Sequence, residues 1–253
     1  MIEVRHVTKS FNQDTVLKDI SHRFERGKVN IIIGQSGSGK SVLAKCMVGL
    51  HRPEVGEILY DGQDFVRMPI QEKRVIRQDI GMLFQASALF DNLTVEENVM
   101  FPLTMFTNMS RPEMQKRAGE VLERVNLSGK NHLYPAETSG GMQKRIAIAR
   151  AIVMKPKYLY CDEPNSGLDP LTSIVIDQLI SEITKEMDIT TVVITHDMNS
   201  VIEIGENIMF IYKGEKWWEG EKEDIINTDN AEINEFVYAS EFMKTLKEKL
   251  QRG

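Results

Sequence analysis

Val29-Asn30-Ile31-Ile32-Ile33, followed by Gly34-Gln35-Ser36-Gly37-Ser38-Gly39-Lys40-Ser41-Val42, decides the fold. The first five residues are β-branched and almost wholly apolar, which suits a central strand buried on both faces. From Gly34 to Ser41 the chain matches the phosphate-binding loop pattern. Its glycines let successive backbone N–H groups turn inward onto phosphate oxygens. A helix is predicted from Lys40 to about Leu50, and its amino-terminal end adds positive potential to the same place. Lys40 is then placed to reach the β- and γ-phosphates, and the Ser41 hydroxyl to ligate Mg²⁺. Gly34 to Val42 are accordingly the candidate nucleotide-binding residues. A glycine-rich turn with no ligand fits the motif taken alone, but the strand before it and the helix after it argue against that.

Upstream, Ile2 to Phe24 alternates apolar and polar residues around the turn signal Asn12-Gln13-Asp14, a pattern of short antiparallel strands. Downstream, Tyr158-Leu159-Tyr160-Cys161 and Thr191-Val192-Val193-Ile194-Thr195 read as buried strands with helical pattern between them. Such alternation predicts a mostly parallel sheet covered by helices. From about Ala86 to Pro156 helix signals dominate. Thr94-Val95-Glu96-Glu97 is a capping box, and Pro112 an early-helix proline. We read residues 86–156 as a helical subdomain inserted in a domain of residues 1–225. A helical tail, 226–253, would follow, with amphipathic helix from about Ala231 to Leu250.

The strand from Tyr158 ends in Asp162-Glu163. A strand of this kind delivers two carboxylates to the carboxyl edge of a parallel sheet, where open α/β folds bind ligands. Asp162 would hold Mg²⁺ directly or through water, and Glu163 would orient and deprotonate an attacking water. Alone the pair is a weak signal, since strands often end in charged turns. Beside a phosphate loop it is a strong one.

Bulk composition is that of a globular protein, 42% hydrophobic and 27% charged, with a net charge of -6 that argues mildly against a nucleic-acid partner. Cys46 and Cys161 lie in apolar runs, as small buried hydrophobes do. No apolar run approaches the roughly 20 residues that cross a bilayer, and Met1-Ile2-Glu3-Val4-Arg5 is no signal peptide. The expectation is a soluble, cytosolic chain whose membrane role, if any, comes through a partner.

Ser139-Gly140-Gly141-Met142-Gln143 precedes the helical run Lys144-Arg145-Ile146-Ala147-Ile148-Ala149-Arg150-Ala151. A serine and two exposed backbone amides at a helix start make a second anion site. A plain N-cap and a turn would look the same in isolation. With the phosphate loop and the carboxylate pair, however, the chain from about Ile2 to Gly220 resembles the ATP-binding subunits of ABC transporters. Ser139-Gly140-Gly141 stands where that family has its signature motif. The resemblance implies a P-loop NTPase fold with an antiparallel β subdomain at the amino terminus and an inserted helical subdomain. It also implies hydrolysis of ATP with Mg²⁺ and a homodimer across two ATP molecules, in which Ser139, Gly140 and Gly141 meet the γ-phosphate held by the opposite subunit.

Four further features follow from the resemblance. Gln85, after Ile80-Gly81-Met82-Leu83-Phe84, sits at the family's Q-loop and would join the Mg²⁺ and water shell. His196 matches the switch histidine that contacts the γ-phosphate. Ser166-Gly167-Leu168-Asp169 resembles the loop that crosses to the other subunit, and Phe11 the aromatic that stacks on adenine. Singly these read as a surface glutamine, a turn histidine, a polar turn and a core phenylalanine. The implied catalytic set is Lys40, Gln85, Glu163 and His196, with Ser41, Gln85 and Asp162 at the metal. Thr138 and Met142 depart from the family's usual leucine and glutamine, and neither removes a group that binds phosphate.

Within the family the chain is most similar to the ATPases of Mla/Mce-type phospholipid transport systems. That likeness rests on Met82-Leu83-Phe84-Gln85-Ala86-Ser87-Ala88-Leu89-Phe90, on Asn98-Val99-Met100-Phe101-Pro102-Leu103 and on Ser139-Gly140-Gly141-Met142. It implies phospholipid cargo moving between two membranes, integral-membrane permease partners, lipid-binding components reached indirectly, and a peripheral place at the cytoplasmic face of the inner membrane. A small-solute importer ATPase, for methionine, phosphonate or another amino acid, is the alternative. A non-transport ABC ATPase fits less well, with one cassette and no long heptad tract. Ala88, Leu89, Phe90, Phe101, Pro102 and Leu103 are an apolar cluster beside Gln85. They suit either a groove for a permease helix or plain packing of the helical segment.

Overall fold

The computed structural model describes residues 1–238. Strands β1 (Ile2–Phe11) and β2 (Asp14–Phe24) form a hairpin whose turn holds Asn12 at φ 56°, the left-handed region asparagine tolerates. Strand β3 (Val29–Ile33) leads through the glycine loop into helix α1 (Lys40–Met47). The predicted end near Leu50 is corrected to Met47. Gly49 takes φ 76°, and the N–H groups of Leu50 and His51 fold back onto the Lys45 carbonyl, closing the helix. Strands β4 (Val55–Tyr60) and β5 (Gln63–Asp64), helix α2 (Ile70–Gln78) and strand β6 (Ile80–Leu83) follow.

Between β6 and the next strand the chain is helical: α3 (Val95–Phe106), α4 (Arg111–Arg124), a 3₁₀ turn at Pro135–Glu137 and α5 (Gly140–Ile152). The Thr94 capping box forms, with its hydroxyl accepting from the Glu97 N–H at 3.2 Å, and Pro112 lies in the first turn of α4. Strand β7 (Tyr158–Asp162), helix α6 (Pro170–Glu186), strand β8 (Thr190–Ile194), helix α7 (Met198–Ile204), strands β9 (Asn207–Tyr212) and β10 (Glu215–Gly220) and helices α8 (Lys222–Asn227) and α9 (Ala231–Val237) complete the described chain. The predicted tail helix beyond residue 238 lies outside the described residues.

Two sheets result. One is antiparallel, ordered β2-β1-β4-β5, and the other is ordered β10-β9-β3-β8-β7-β6, parallel except for the β10 edge. Strand side chains alternate between faces, and here both faces are covered. Ile31 and Ile33 point into the core shared with α3, α4, α5 and α6, whereas Ile32 points into the core that α1 and the antiparallel sheet complete. Leu159 and Cys161 divide from Tyr158 and Tyr160 in the same way. The Tyr160 and Tyr60 hydroxyls pair at 2.8 Å across the second core, so neither is buried without a partner. Among the described residues no helix is long and apolar enough to cross a membrane.

A charge is also buried away from the loops. Asp177 on α6 is 2% exposed, with one carboxylate oxygen lacking a partner. Burial pushes its carboxyl up to about 6, aided by Asp197 and Glu203 and opposed by hydrogen bonds from Ser200 and Asn165. A raised carboxyl pKa favours the protonated folded state. This contribution is therefore fully present below about 3.8 and is lost as pH rises through about 6. Asp177→Asn should therefore raise stability by roughly 1–3 kcal/mol at neutral pH, with the gain shrinking below pH 6. Paired thermal melts of both proteins from pH 5 to 8 check it.

Candidate functional site

The carboxyl ends of β3, β7 and β8 converge. The first ends in Gly34, where an added Cβ would lie 2.3 Å from the Ile211 carbonyl oxygen and 2.7 Å from Ser38 Oγ. Only a glycine fits that approach, and its φ of 150° suits it further. Gly39 repeats the constraint, its missing Cβ falling 2.7 Å from Leu17 Cδ2 and its φ at 110°. The loop is thus pressed against β2 and β9, while Gln35, Ser36 and Gly37 at its crest are exposed. Ser38 Oγ is buried with no hydrogen-bond partner. Ser41 is exposed and Val42 half-buried at the start of α1.

Lys40 is 8% exposed, and its Nζ donates to the loop's own carbonyls, Gly34 at 2.7 Å and Gln35 at 2.9 Å. Burial pulls this ammonium below the usual lysine range, and the negative charge of Glu163 and Asp162 opposes the shift. Asp162 is raised by burial and by the Glu163 charge beside it. Glu163 itself adopts φ 49°, and its N–H continues the sheet by donating to the Ile194 carbonyl at 2.9 Å. Left-handed backbone at a non-glycine residue is uncommon and costs about 1 kcal/mol or more, and here it sits on the proposed base. His196 Nδ1 lies 2.8 Å from Glu163 Oε1, on a turn held by the Asp197 N–H donating to Thr195 Oγ1 at 3.0 Å.

Ser139 caps α5, accepting from the Met142 N–H at 3.3 Å. Its glycines face their own chain's α6 region: a Cβ on Gly141 would lie 2.7 Å from Thr172 Cγ2, and one on Gly140 3.6 Å from Leu168 Cδ2. Among the described residues no hydrogen bond or ion pair joins this turn to the 34–41 loop. Asp169 caps α6, accepting from the Thr172 N–H at 3.0 Å. Phe11, 38% exposed at the end of β1, packs edge-on against His51 with centroids 5.2 Å apart, under the Lys9 ammonium. Gln85 is exposed just past β6.

Lys40, Asp162, Glu163 and His196 are therefore brought together, Gln85 joins them through its main chain, and Ser139 to Gly141 stand apart. Two cations unmarked by the sequence reading make that main-chain link. Lys144 Nζ donates to the carbonyl oxygens of Gln85 and, at 3.4 Å, of Glu163. Arg150 donates to those of Ser87 at 2.6 Å and Ala88 at 2.7 Å. The available signal was positional. Lys144 precedes Ile148 and Ala151 at helical spacing on a buried face, where a charge needs partners.

A nucleotide fits these residues. Among the described residues the Ser38 hydroxyl has no partner and Lys40 is bonded to loop carbonyls, an arrangement that suits an anion. Among the described residues no three His, Cys, Asp or Glu side chains could hold a metal on their own. Mg²⁺ is commonly bound by one or two carboxylates together with substrate phosphates, and Asp162 with Ser41 is a donor set of that type.

A parallel sheet carrying this loop and carboxylate edge is that of a P-loop nucleotide triphosphatase. The family described as ABC transporter matches residues 17–166. A probable ribonucleotide transport ATP-binding protein, mkl, of Mycobacterium leprae is 36% identical over 93% of this chain and 68% of its own length. The methionine import ATP-binding protein MetN of Aliivibrio fischeri is 39% identical over 95% of this chain and 71% of its own. Among solved structures, a dimeric post-hydrolysis state of the cassette MJ0796 bound to ADP and Pi has a TM-score of 0.79 at 34% identity, covering 87% of this chain and 98% of that one. The cassette cbiO1 of Clostridium perfringens, part of a cbiONQ complex, has a TM-score of 0.84 at 28% identity, covering 99% and 98%. This chain belongs to the ABC transporter ATP-binding family and is an ATPase.

Gly34→Ala tests the loop's packing. The new methyl group must displace the Ile211 carbonyl, so the variant should lose about 2 kcal/mol or more of stability and bind Mg-ATP at least tenfold more weakly. Thermal melts and titration with a fluorescent ATP analogue measure both.

Proposed function

We propose that two copies of this chain enclose two ATP molecules and drive a permease that moves phospholipid between membranes. The observation that carries the dimer is the separation of the two anion sites. The Ser139 turn packs on its own Leu168 and Thr172 and, among the described residues, has no bond to its own phosphate loop. A helix N-terminus left in that position suits the γ-phosphate bound on a second copy. The dimeric MJ0796 cassette supports the same arrangement by likeness.

In each half-site the 34–41 amides, Lys40 and Ser38 grip the phosphates, with Lys40 exchanging carbonyl oxygens for phosphate oxygens. Phe11 stacks on the adenine. Ser41, Asp162 and Gln85 would hold Mg²⁺, which would supply charge neutralisation at the transferred phosphoryl group. Glu163 takes a proton from the attacking water, and His196 holds the Glu163 carboxylate and reaches the γ-phosphate. Because the γ-phosphate is shared, ATP favours the closed dimer and hydrolysis releases it. Glu163→Gln should lower turnover at least a hundredfold while ATP-bound dimers accumulate. Light scattering with Mg-ATP, on the chain alone and on the permease complex, reads this, and monomers in both cases would overturn it.

The permease would dock in an apolar cavity of about 440 Å³ lined by Met82, Phe84, Ala88, Phe90, Phe101 and Pro102, among others. Phe90 and Phe101 meet with centroids 4.6 Å apart and are both partly exposed. The six-residue cluster expected from sequence divides here. Leu103 is 2% exposed and Leu89 packs on the core, whereas Phe84 and Phe106 take their place at the groove. Asn98 fixes its rim through four hydrogen bonds, accepting from the Phe90 N–H and donating to the carbonyls of Phe90, Leu93 and Thr94. A short amphipathic permease helix fits such a groove, and attachment there would make the chain peripheral at the cytoplasmic face of the inner membrane.

The cargo assignment rests on the likeness of residues 82–90, 98–103 and 139–142 to phospholipid systems. The MetN relatives support methionine import as the second reading. Purifying the native complex and identifying its proteins and bound lipid separates them: copurified phospholipid and a lipid-binding partner support the first, a soluble amino-acid receptor the second. Phe90→Asp should abolish recovery of the permease with this chain while leaving ATP affinity within about threefold.

A further inference from the structure

Helix α5 begins with the Ser139 turn and passes beneath both the Gln85 segment and the end of β7. Its first buried cation is Lys144, 4% exposed. An ammonium carries three donors and no acceptor, so burial obliges it to find oxygen partners. Those found are main-chain carbonyls of two separate segments, Gln85 and Glu163. We infer that Lys144 is a positioning residue for ATP hydrolysis: its buried ammonium ties the backbone of Gln85 to that of Glu163 and so sets both side chains from behind.

The geometry favours this over simple burial of a long side chain. Around Lys144 the helix presents Ile146, Ala147, Ile148 and Ala149, each 0% exposed, and an apolar residue would satisfy that packing at no desolvation cost. The Gln85 carbonyl lies past the end of β6, whose pairing with β7 stops at Leu83. Glu163 stands just beyond β7 with a left-handed backbone. Its carbonyl also accepts from the Ser166 N–H at 3.2 Å, which places the turn toward Asp169 in the same network. Burial draws the Lys144 ammonium below the ordinary lysine range, opposed by neighbouring acidic groups that include Glu163 and Asp162. Lys144 is bonded to the carbonyl oxygens of Gln85 and Glu163 rather than to the 34–41 loop. It acts through Gln85 and Glu163, and the inference rests on the reading that those two work at the γ-phosphate.

The test compares Lys144→Met, which keeps length and loses the donors, with Lys144→Gln, which restores neutral N–H donors. Steady-state turnover is normalised to the number of ATP-binding sites found by titration, so that misfolded protein is not counted. Lys144→Met should lower kcat about tenfold or more with KM for Mg-ATP within about threefold, and Lys144→Gln should recover a large part of the loss. Hydrogen exchange at residues 85–88 and 163–166 should quicken in Lys144→Met and slow again in Lys144→Gln. A kcat within twofold of the unmodified chain in the Met variant, or equal losses in the Gln and Met variants, would overturn the role. So would a loss confined to KM. Should Lys144→Met fail to fold, the Gln variant decides: a modest fall in kcat with KM unchanged and exchange quickened at residues 85–88 and 163–166 supports positioning, whereas kcat and exchange both unchanged, or a fall matched by lost ATP affinity, refutes it. Glu163→Gln runs alongside. Normal turnover there defeats the reading of the site itself, whereas an inactive Glu163→Gln beside an unaffected Lys144→Met defeats only this inference.

Discussion

Four charges meet at the carboxyl edge of the six-stranded sheet with little water to screen them: Lys40, Lys144, Asp162 and Glu163. Asp162 and Glu163 arrive at the end of β7, a strand covered on both faces, while Lys40 opens α1 and Lys144 comes from α5. Burial acts on them in a consistent way, lowering both lysines and raising Asp162. An isolated buried charge is costly, and partial pairing through backbone carbonyls lowers that cost without removing it. Both lysines take this form, each bonded to carbonyl oxygens rather than to a carboxylate. The centre is therefore internally held yet electrostatically incomplete. On the function proposed above, phosphate oxygens at Lys40 and Ser38 and a divalent cation at Asp162 would complete it.

That arrangement requires the backbone to come unusually close to itself, and glycine makes this possible at two points. Gly34 lets the loop pass the Ile211 carbonyl, and Gly39 lets it pass Leu17. Neither contact belongs to the phosphate chemistry, yet both position it. The loop's conformation thus depends on β2 and β9 as much as on its own residues, which explains why the antiparallel sheet is packed against the nucleotide edge.

Much of this was readable in the chain because it is local. The strand before Gly34, the hairpin turn at Asn12, the Thr94 capping box and the carboxylates after Tyr160 each follow from residues within a few positions of one another. The helix end at Met47 needed a tertiary fact, since Gly49 is left-handed where an added Cβ would strike Phe65. Leu89 and Leu103 could not be told from Phe90 and Phe101 by hydropathy, because all four are apolar and only the direction of each Cβ divides groove from core. Lys144 and Arg150 escaped for the opposite reason. A basic residue in a helix is usually solvated, and only the carbonyls of a segment some sixty residues away make these two interior groups.

The same segment that carries Gln85 also builds the groove, and this joins docking to chemistry by a short path. Phe84, Ala88 and Phe90 turn their side chains to the groove, while the carbonyls of Gln85, Ser87 and Ala88 turn to α5. Ser87 and Ala88 both hold positive φ, at 60° and 48°, which costs on the order of 1–3 kcal/mol each and persists only where the surroundings enforce it. Arg150 supplies that enforcement through both carbonyls. A loop kept in a high-energy conformation by two long side chains is a natural element for two discrete arrangements, because releasing the bonds lets the backbone relax. A helix pressed into the groove acts on one side of this loop, and α5 acts on the other through Lys144 and Arg150. Since α5 starts at Ser139, closure of a second copy on that turn would push along the helix that holds Gln85 and Glu163 in register. If docking at the groove and closure over ATP both act on this loop, each changes the affinity of the other by the same factor, since coupling between two binding events is reciprocal.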